Sequence, residues 1–429
     1  MDTKKAGSHC DQDFSSLSQE SRVHRDAYLD PKVFEAEMRQ IFRRTWVYVG
    51  HDTEVPNPGD YKMTYIGTES VVLVRGTDGK PYVLLNRCSH RGATVCQVSR
   101  GTAKGFRCQY HGWSFGLDGH LSGVPFPDGY PALDPSEKGL WKLPKVEAYR
   151  GFVFASFSSD VPALIDHLGK VTPYIDLLVD HADGYEIQVA PDANEVLYNG
   201  NWKLSMENSI DGYHLSFTHQ SVFAVMEKRT GKPSRYLSSQ NEGLARSLSF
   251  SNGHTVMDLH SIARDVLRNR LDALSDAPPS GADLDAFFGI EGAEEIYLST
   301  TGPGVNTTVY PNLQLGSPNI CEVHPISVDR TRIVLRPLLL RGAPDNINSL
   351  RLRYHEIGSG PCGFVQPDDL EMFERVSSGI AAESVEWLLM DRGVSREILT
   401  AGGSRASQIT DEGPQRAQYR RWRELMGAQ

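Results

Sequence analysis

Apolar residues recur at three- and four-residue spacing in Val33, Phe34, Met38, Ile41 and Phe42, which predicts a helix over 31–44. The first twenty-odd residues are polar and are expected to be loose. From Val47 to about Phe157 the pattern changes to short strands and turns. Residues 71–74 and 82–85 are apolar and flank Asp78-Gly79, a hairpin signal. Asp118-Gly119 marks a second turn after Trp113-Ser114-Phe115, and 151–157 reads as a last aromatic strand. The stretch is expected to be a small all-β domain.

Beyond Ser158 the pattern is mixed. Residues 163–168 and 174–181 predict short helices, and 186–197 a strand. A helix is expected over 202–217, with Trp202, Met206, Ile210, Tyr213 and Phe217 on one stripe. Residues 277–292, with Pro278, Pro279 and Gly281, read as a loop suited to a mobile lid or rim. Residues 307–313, 319–328 and 331–340 predict successive strands. The segment 367–390 begins as a helix with Asp368 and Asp369 in its acidic first turn. There is no internal repeat.

Composition narrows the function. A chain of 429 residues suggests two domains rather than one. With 44 Lys and Arg against 54 Asp and Glu the net charge is −10, which disfavours nucleic acid and anionic membranes as partners. No apolar run of about 18 residues predicts a membrane span. The start, Met1 to Cys10, lacks the apolar core of a secretory signal. The six cysteines, at 10, 88, 96, 108, 321 and 362, are scattered, which suits a reducing cytoplasm better than a disulfide framework.

Two of those cysteines carry chemistry. Cys88-x-His90 is followed, after seventeen residues, by Cys108-x-x-His111. Structural zinc sites usually pair Cys-x-x-Cys with His-x-x-x-His. Here each loop offers one Cys and one His, as a Rieske 2Fe–2S cluster needs, with two thiolates on one iron and two imidazoles on the other. Gly92 and Gly112, just after the histidines, allow close backbone approach. Cys96 is expected to be a small buried hydrophobe.

Such a cluster only moves electrons, so a consumer is expected. Asp211 and His214 are three residues apart and share one helical face, whereas His214 and His219, five apart, lie roughly 140° around a regular helix. They can meet one metal only if the helix ends or distorts between them. Two His and a carboxylate form the facial triad of non-haem Fe(II) oxygenases. A pure electron carrier would need only about 45–157 and would leave this motif without a role. A zinc-stabilised binding module would carry no reducible cluster. The residues alone do not single out a third ligand among Asp368, Asp369 and Asp391.

These motifs, the run Asn201-Trp202-Lys203 to His219, and the late Gly363-Phe364-x-x-x-Asp368-Asp369 make the chain resemble the large (alpha) subunits of Rieske non-haem iron aromatic-ring-hydroxylating dioxygenases, over nearly its whole length. The benzoate, toluate, anthranilate and halobenzoate group is the most similar, through Asp211-Gly212-Tyr213-His214, Pro367-Asp368-Asp369-Leu370-Glu371 and the 410–413 tail. The resemblance implies an α+β architecture: an all-β Rieske domain plus a catalytic domain with an antiparallel sheet covered by helices, helix-grip-like. The expected division is 1–44, packing with the catalytic domain; 45–157, the Rieske domain; and 158–429, the mononuclear iron domain. It further implies Asp369 as third iron ligand beside His214 and His219, with Asp368 the adjacent alternative. Asp211 would bridge His111 of one subunit to His214 of the next, and Asn208, Gly212 and Val365 would line the substrate pocket. The implied partners are a small beta subunit, in three alpha plus three beta, and a reductase fed by NAD(P)H, with or without a ferredoxin. The implied reaction is O2-dependent cis-dihydroxylation of an aromatic ring, with a Rieske monooxygenase of the salicylate hydroxylase or O-demethylase type as the alternative. An aromatic carboxylate would need a cationic or amide partner; Lys228, Arg229, Lys232, Arg235, Arg246 and Arg264 are cationic candidates, none singled out.

Overall fold

The computed structural model describes residues 12–181, 184–231, 245–260, 268, 271–274, 277–279, 281–300, 302–316 and 318–427. Cys10, Lys232, Arg235 and Arg264 lie outside them. The architecture is α+β. Residues 47–156 form three antiparallel sheets. In the four-stranded one, Glu69–Arg75 pairs with Pro81–Leu85 across the Asp78-Gly79 turn, Val74 opposite Tyr82. Ser114–Phe115 and Leu121–Gly123 pair across Asp118-Gly119. Phe152–Ser156 is buried at every position, between Lys145–Tyr149 and Val47–His51.

Among the described residues that follow, strands between Glu186 and Gln408 form a ten-stranded antiparallel sheet. Its longest strand, Arg330–Arg341, pairs with both Glu186–Val189 and Asn194–Tyr198. The single strand expected over 186–197 is thus two. Pro191 has no N–H to give the ladder, and its carbonyl instead accepts from Arg336 Nη1 at 3.0 Å. The expected strand over 307–313 also divides, into Val305–Val309 and Leu313–Gly316, at a turn holding Pro311. Helix Gly413–Met426 packs on the sheet.

Three further expectations are corrected. Residues 12–24 are not loose: Ser18–Gln19 and Arg22–His24 form a small sheet with Trp387–Leu389, and Phe14 N donates to Met426 O at 3.0 Å. Residues 277–292 contain a helix, Leu284–Phe288, capped by the Asp283 carboxylate and pinned by buried Phe288. The helix expected over 202–217 ends at Asn208 and resumes only as Leu215–Thr218. Trp202, Met206 and Ile210 are buried as their stripe requires, but Tyr213 and Phe217 are exposed.

Buried charges lock the parts together. Glu37, on the N-terminal helix Pro31–Glu37, accepts from Lys203 Nζ at 2.6 Å, Trp202 Nε1 at 2.8 Å and Trp422 Nε1 at 2.7 Å. Lys62 of the small β sheets donates to Glu54 at 3.0 Å and to Glu322 of the large sheet at 2.8 Å. Among the described residues, no helix is long and apolar enough to cross a membrane.

Candidate active site

The two Cys/His loops have the same backbone geometry. Gly92 N donates to Cys88 O and Gly112 N to Cys108 O, each at 3.0 Å, with both glycines left-handed at φ +78° and +74°. Cys88 N and Cys108 N donate back across each loop to Ala93 O and Trp113 O at 2.8 Å. The folding brings both cysteines into the core and both imidazoles to its edge, with His90 Nδ1 3.1 Å from His111 Nδ1. His90 stacks on Trp113 at 4.9 Å, and the Tyr110 ring lies 3.8 Å from that of His111. Burial, with the adjoining Cys108 thiol, raises the Cys88 pKa. The two facing imidazole nitrogens and the two adjoining thiols are the donor set a 2Fe–2S cluster needs, two of each kind. Cys96 is buried, its thiol against Val98 O.

The second cluster lies where the 202–208 helix breaks. The Gly212 amide donates to Ile409 O at 3.0 Å, and a Cβ there would come within 2.4 Å of that oxygen. Asp211 Oδ1 takes the Tyr213 amide at 2.6 Å. Both bonds compete with the helical ladder and turn the chain. His214 and His219 then face each other, their Nε2 atoms 3.2 Å apart. Asp369, in the first turn of helix Gln366–Ile380, places Oδ1 3.1 Å from His219 Nε2 and 3.5 Å from His214 Nε2. The three side chains can offer ligand atoms that all lie within 4.8 Å of one another.

The neighbours sort the remaining carboxylates. Asp368 Oδ2 lies 3.5 Å from Nδ1 of His219, the outward nitrogen, and Asp211 Oδ2 lies 3.5 Å from Nδ1 of His214. Each imidazole therefore has one nitrogen toward the cluster and the other beside a carboxylate, the arrangement that orients metal-bound histidines. Asp391 is exposed and outside the cluster. Burial alone would lower the pKa of His214, but hydrogen bonding and charge from Asp211 and Asp369 push it up to about 9. Burial would raise that of Asp369, but the two imidazoles hold it below its ordinary value. Asp369 Oδ1 is buried, and apart from the two imidazole nitrogens that face it no group is placed to donate to it. A field that favours positive charge and a buried carboxylate oxygen facing only those nitrogens fit a cation bound between the three side chains.

Beside His219 opens a cavity of about 340 Å³, walled by helix Gln220–Thr230, the large sheet and the Asp345–Ser359 helix. Most of its lining is apolar, including Val222, Phe223, Met226, Leu315 and Phe364. Val365 lines it; Asn208 and Gly212 do not figure in the wall. Sequence reasoning missed the sheet's share, such as Met257, Thr308 and Gln314. Strand alternation marks these as facing one side, but not which side holds a cavity.

Comparison with known proteins agrees with this geometry. Residues 45–143 match the Rieske [2Fe-2S] domain, and 176–428 match the ring hydroxylating alpha subunit (catalytic domain). The chain is 30% identical to the 2-halobenzoate 1,2-dioxygenase large subunit of Burkholderia cepacia, over 94% of this chain and 89% of that one. It is 33% identical to the toluate 1,2-dioxygenase subunit alpha of Pseudomonas putida, over 84% and 79%. A solved naphthalene 1,2-dioxygenase variant bound to phenanthrene superposes with a TM-score of 0.80 at 25% identity, covering 96% of this chain and 94% of that one. The cofactors of the two matched parts are a Rieske 2Fe–2S cluster and a mononuclear iron. The chain belongs to the alpha subunits of the Rieske aromatic ring-hydroxylating dioxygenases.

Proposed function

We propose that this chain is the terminal oxygenase component that cis-dihydroxylates the ring of a benzoate-type aromatic carboxylate. The observation that carries the proposal is the convergence of His214, His219 and Asp369 at the wall of a largely apolar cavity. In this reading Cys88, His90, Cys108 and His111 hold the cluster, and His214, His219 and Asp369 hold the iron. When bound, the cluster supplies electrons singly and the iron supplies the centre at which O2 reacts with the ring. The apolar wall, Val365 included, packs the ring and excludes water. Asp368 steadies His219. Asp211 steadies His214 and, accepting from His111 of a neighbouring copy, couples the two metal sites across a subunit boundary. Functionally, 1–44 supports the catalytic part, 45–157 carries the cluster and 158–429 the iron.

The similarity to halobenzoate and toluate dioxygenases supports the aromatic acid as substrate. Relatives named as a large subunit and a subunit alpha support a small beta partner; the assembly in this reading would be three alpha plus three beta. Electrons would come from NAD(P)H through a reductase, with or without a ferredoxin, in the cytoplasm. The test is product analysis on a panel of substituted benzoates with a surrogate reductase. A cis-diol from at least one acid is expected. Turnover of neutral arenes alone would overturn the substrate, and a monohydroxylated product would place the chain with the monooxygenases.

A further inference from the structure

A carboxylate entering an apolar cavity loses water, and only a cation or several N–H donors can offset that loss. Among the described residues lining the cavity beside His219, Arg229 is the only Lys or Arg, and no Asp or Glu occurs. Its place follows from the helix. Val222, Phe223, Met226 and Arg229 come three, four, seven and ten residues after His219, and all five line the cavity. They form one stripe on the helix that begins directly after His219. Ten residues place Arg229 about 15 Å along the axis from His219. Helical side chains lean toward the N-terminus, so this long stem leans back along the cavity toward the histidine.

The other candidate cations are placed differently. Lys228 is one residue away, exposed, and does not line the cavity; Arg246 lies 3.6 Å from Asp258. Arg229 is itself exposed, and it ion-pairs with no carboxylate among the described residues. A guanidinium at the cavity's solvent side stays hydrated until a ligand arrives, so it adds no buried charge to the empty site.

Resting on the aromatic-carboxylate reading, we propose that Arg229 is the residue that selects and orients the acid. The substrate's carboxylate pairs with the Arg229 guanidinium, and its ring lies in the cavity on the His219 side of that pair. Two parallel N–H···O bonds would fix the plane of the carboxylate as well as its position.

The test uses the complete reconstituted system with Arg229→Gln, Arg229→Lys and, as a control, Lys228→Gln. The substrates are an aromatic acid that the wild type hydroxylates and its primary amide. For the acid, Arg229→Gln should raise KM about 10- to 100-fold with kcat little changed, the loss of one charge-assisted pair. Its kcat/KM for the amide should stay within about twofold of wild type, and so should all constants of Lys228→Gln. Arg229→Lys should recover part of the acid's affinity. Iron content and cluster absorbance should be unchanged. If the wild type prefers the acid and Arg229→Gln keeps that preference, the selecting role is overturned while the aromatic-acid reading stands. If the wild type hydroxylates neutral arenes and no acid, both fall.

Discussion

Replacing Glu37 by Gln should loosen the helix that leads into the His214–His219–Asp369 cluster. Glu37 is fully buried, and its two oxygens take Lys203 Nζ and the indole N–H groups of Trp202 and Trp422. These partners come from the helices at 202–208 and 413–426, so one carboxylate ties three separate chain segments. The Gln carbonyl can keep one acceptor, but Lys203 loses its counter-ion while 4% exposed. Burial already pulls the Lys203 pKa down against the pull of Glu37. Without Glu37 the ammonium must stay charged and unpaired or give up its proton. From its ordinary value of 10.5, deprotonation at pH 7.5 costs about 1.4 kcal/mol per unit, or about 4 kcal/mol. That is an upper bound on the penalty and agrees with the roughly 3–5 kcal/mol for breaking a buried pair. A cooperative unit of this size loses roughly 2 °C per kcal/mol, so Tm should fall by about 6–8 °C. Calorimetry of the iron-loaded protein checks this. The deficit should shrink toward pH 10, where losing the proton costs little, and adding Lys203→Met should recover part of it. A Tm within about 2 °C of wild type, or simple additivity in the double variant, would refute the reasoning.

Asp211→Asn should keep both metal sites loaded while turnover falls by at least about 10- to 100-fold; iron analysis with steady-state assays checks it, and near-normal turnover would sink the bridging role. The partly buried Glu207 carboxylate lies under the hydroxyls of Tyr28 and Tyr419, and desolvation there raises its pKa from 4.5 to about 7. Above pH 4.5 the unfolded carboxyl ionises while the folded one keeps its proton, so wild-type stability declines as pH rises toward 7, by about 3 kcal/mol. Glu207→Gln lacks that term and should gain Tm relative to wild type between pH 5 and about pH 7; parallel Tm-versus-pH curves would contradict the assignment. Gly212→Ala must push against the Ile409 carbonyl, at a cost of about 1–3 kcal/mol, and should lower mononuclear iron occupancy without touching the cluster absorbance.

The β hairpins and the cluster loops were legible because their signals are local. Asp78-Gly79 sets a turn by itself, and a Cys and a His on each loop set the ligand pattern. The break between Asn208 and Leu215 was legible only in part. The five-residue spacing of His214 and His219 requires a distortion, but its cause, the Ile409 carbonyl, lies about 200 residues away in sequence. Asp369 and Asp368 are alike as residues in a helix's first turn. They differ because one faces inner nitrogens and the other an outer one, which tertiary packing decides. The roles of Glu37 and Arg229 were hidden for the same reason. An acidic residue on an amphipathic helix reads as solvated, and one Arg among six cations gains meaning only when a cavity wall is assembled around it.

In the proposed reading, two separate groups of side chains hold iron in this chain. Iron and acid-labile sulfide analysis of the wild type and of His219→Ala, with the Rieske electron paramagnetic resonance signal recorded on the same samples, tests it most directly. Three irons per wild-type chain are expected, two in the cluster and one beyond it, with an unaltered Rieske signal and only the cluster's iron in the variant. A wild type with cluster iron alone, or a His219→Ala protein that keeps the third iron, would contradict it.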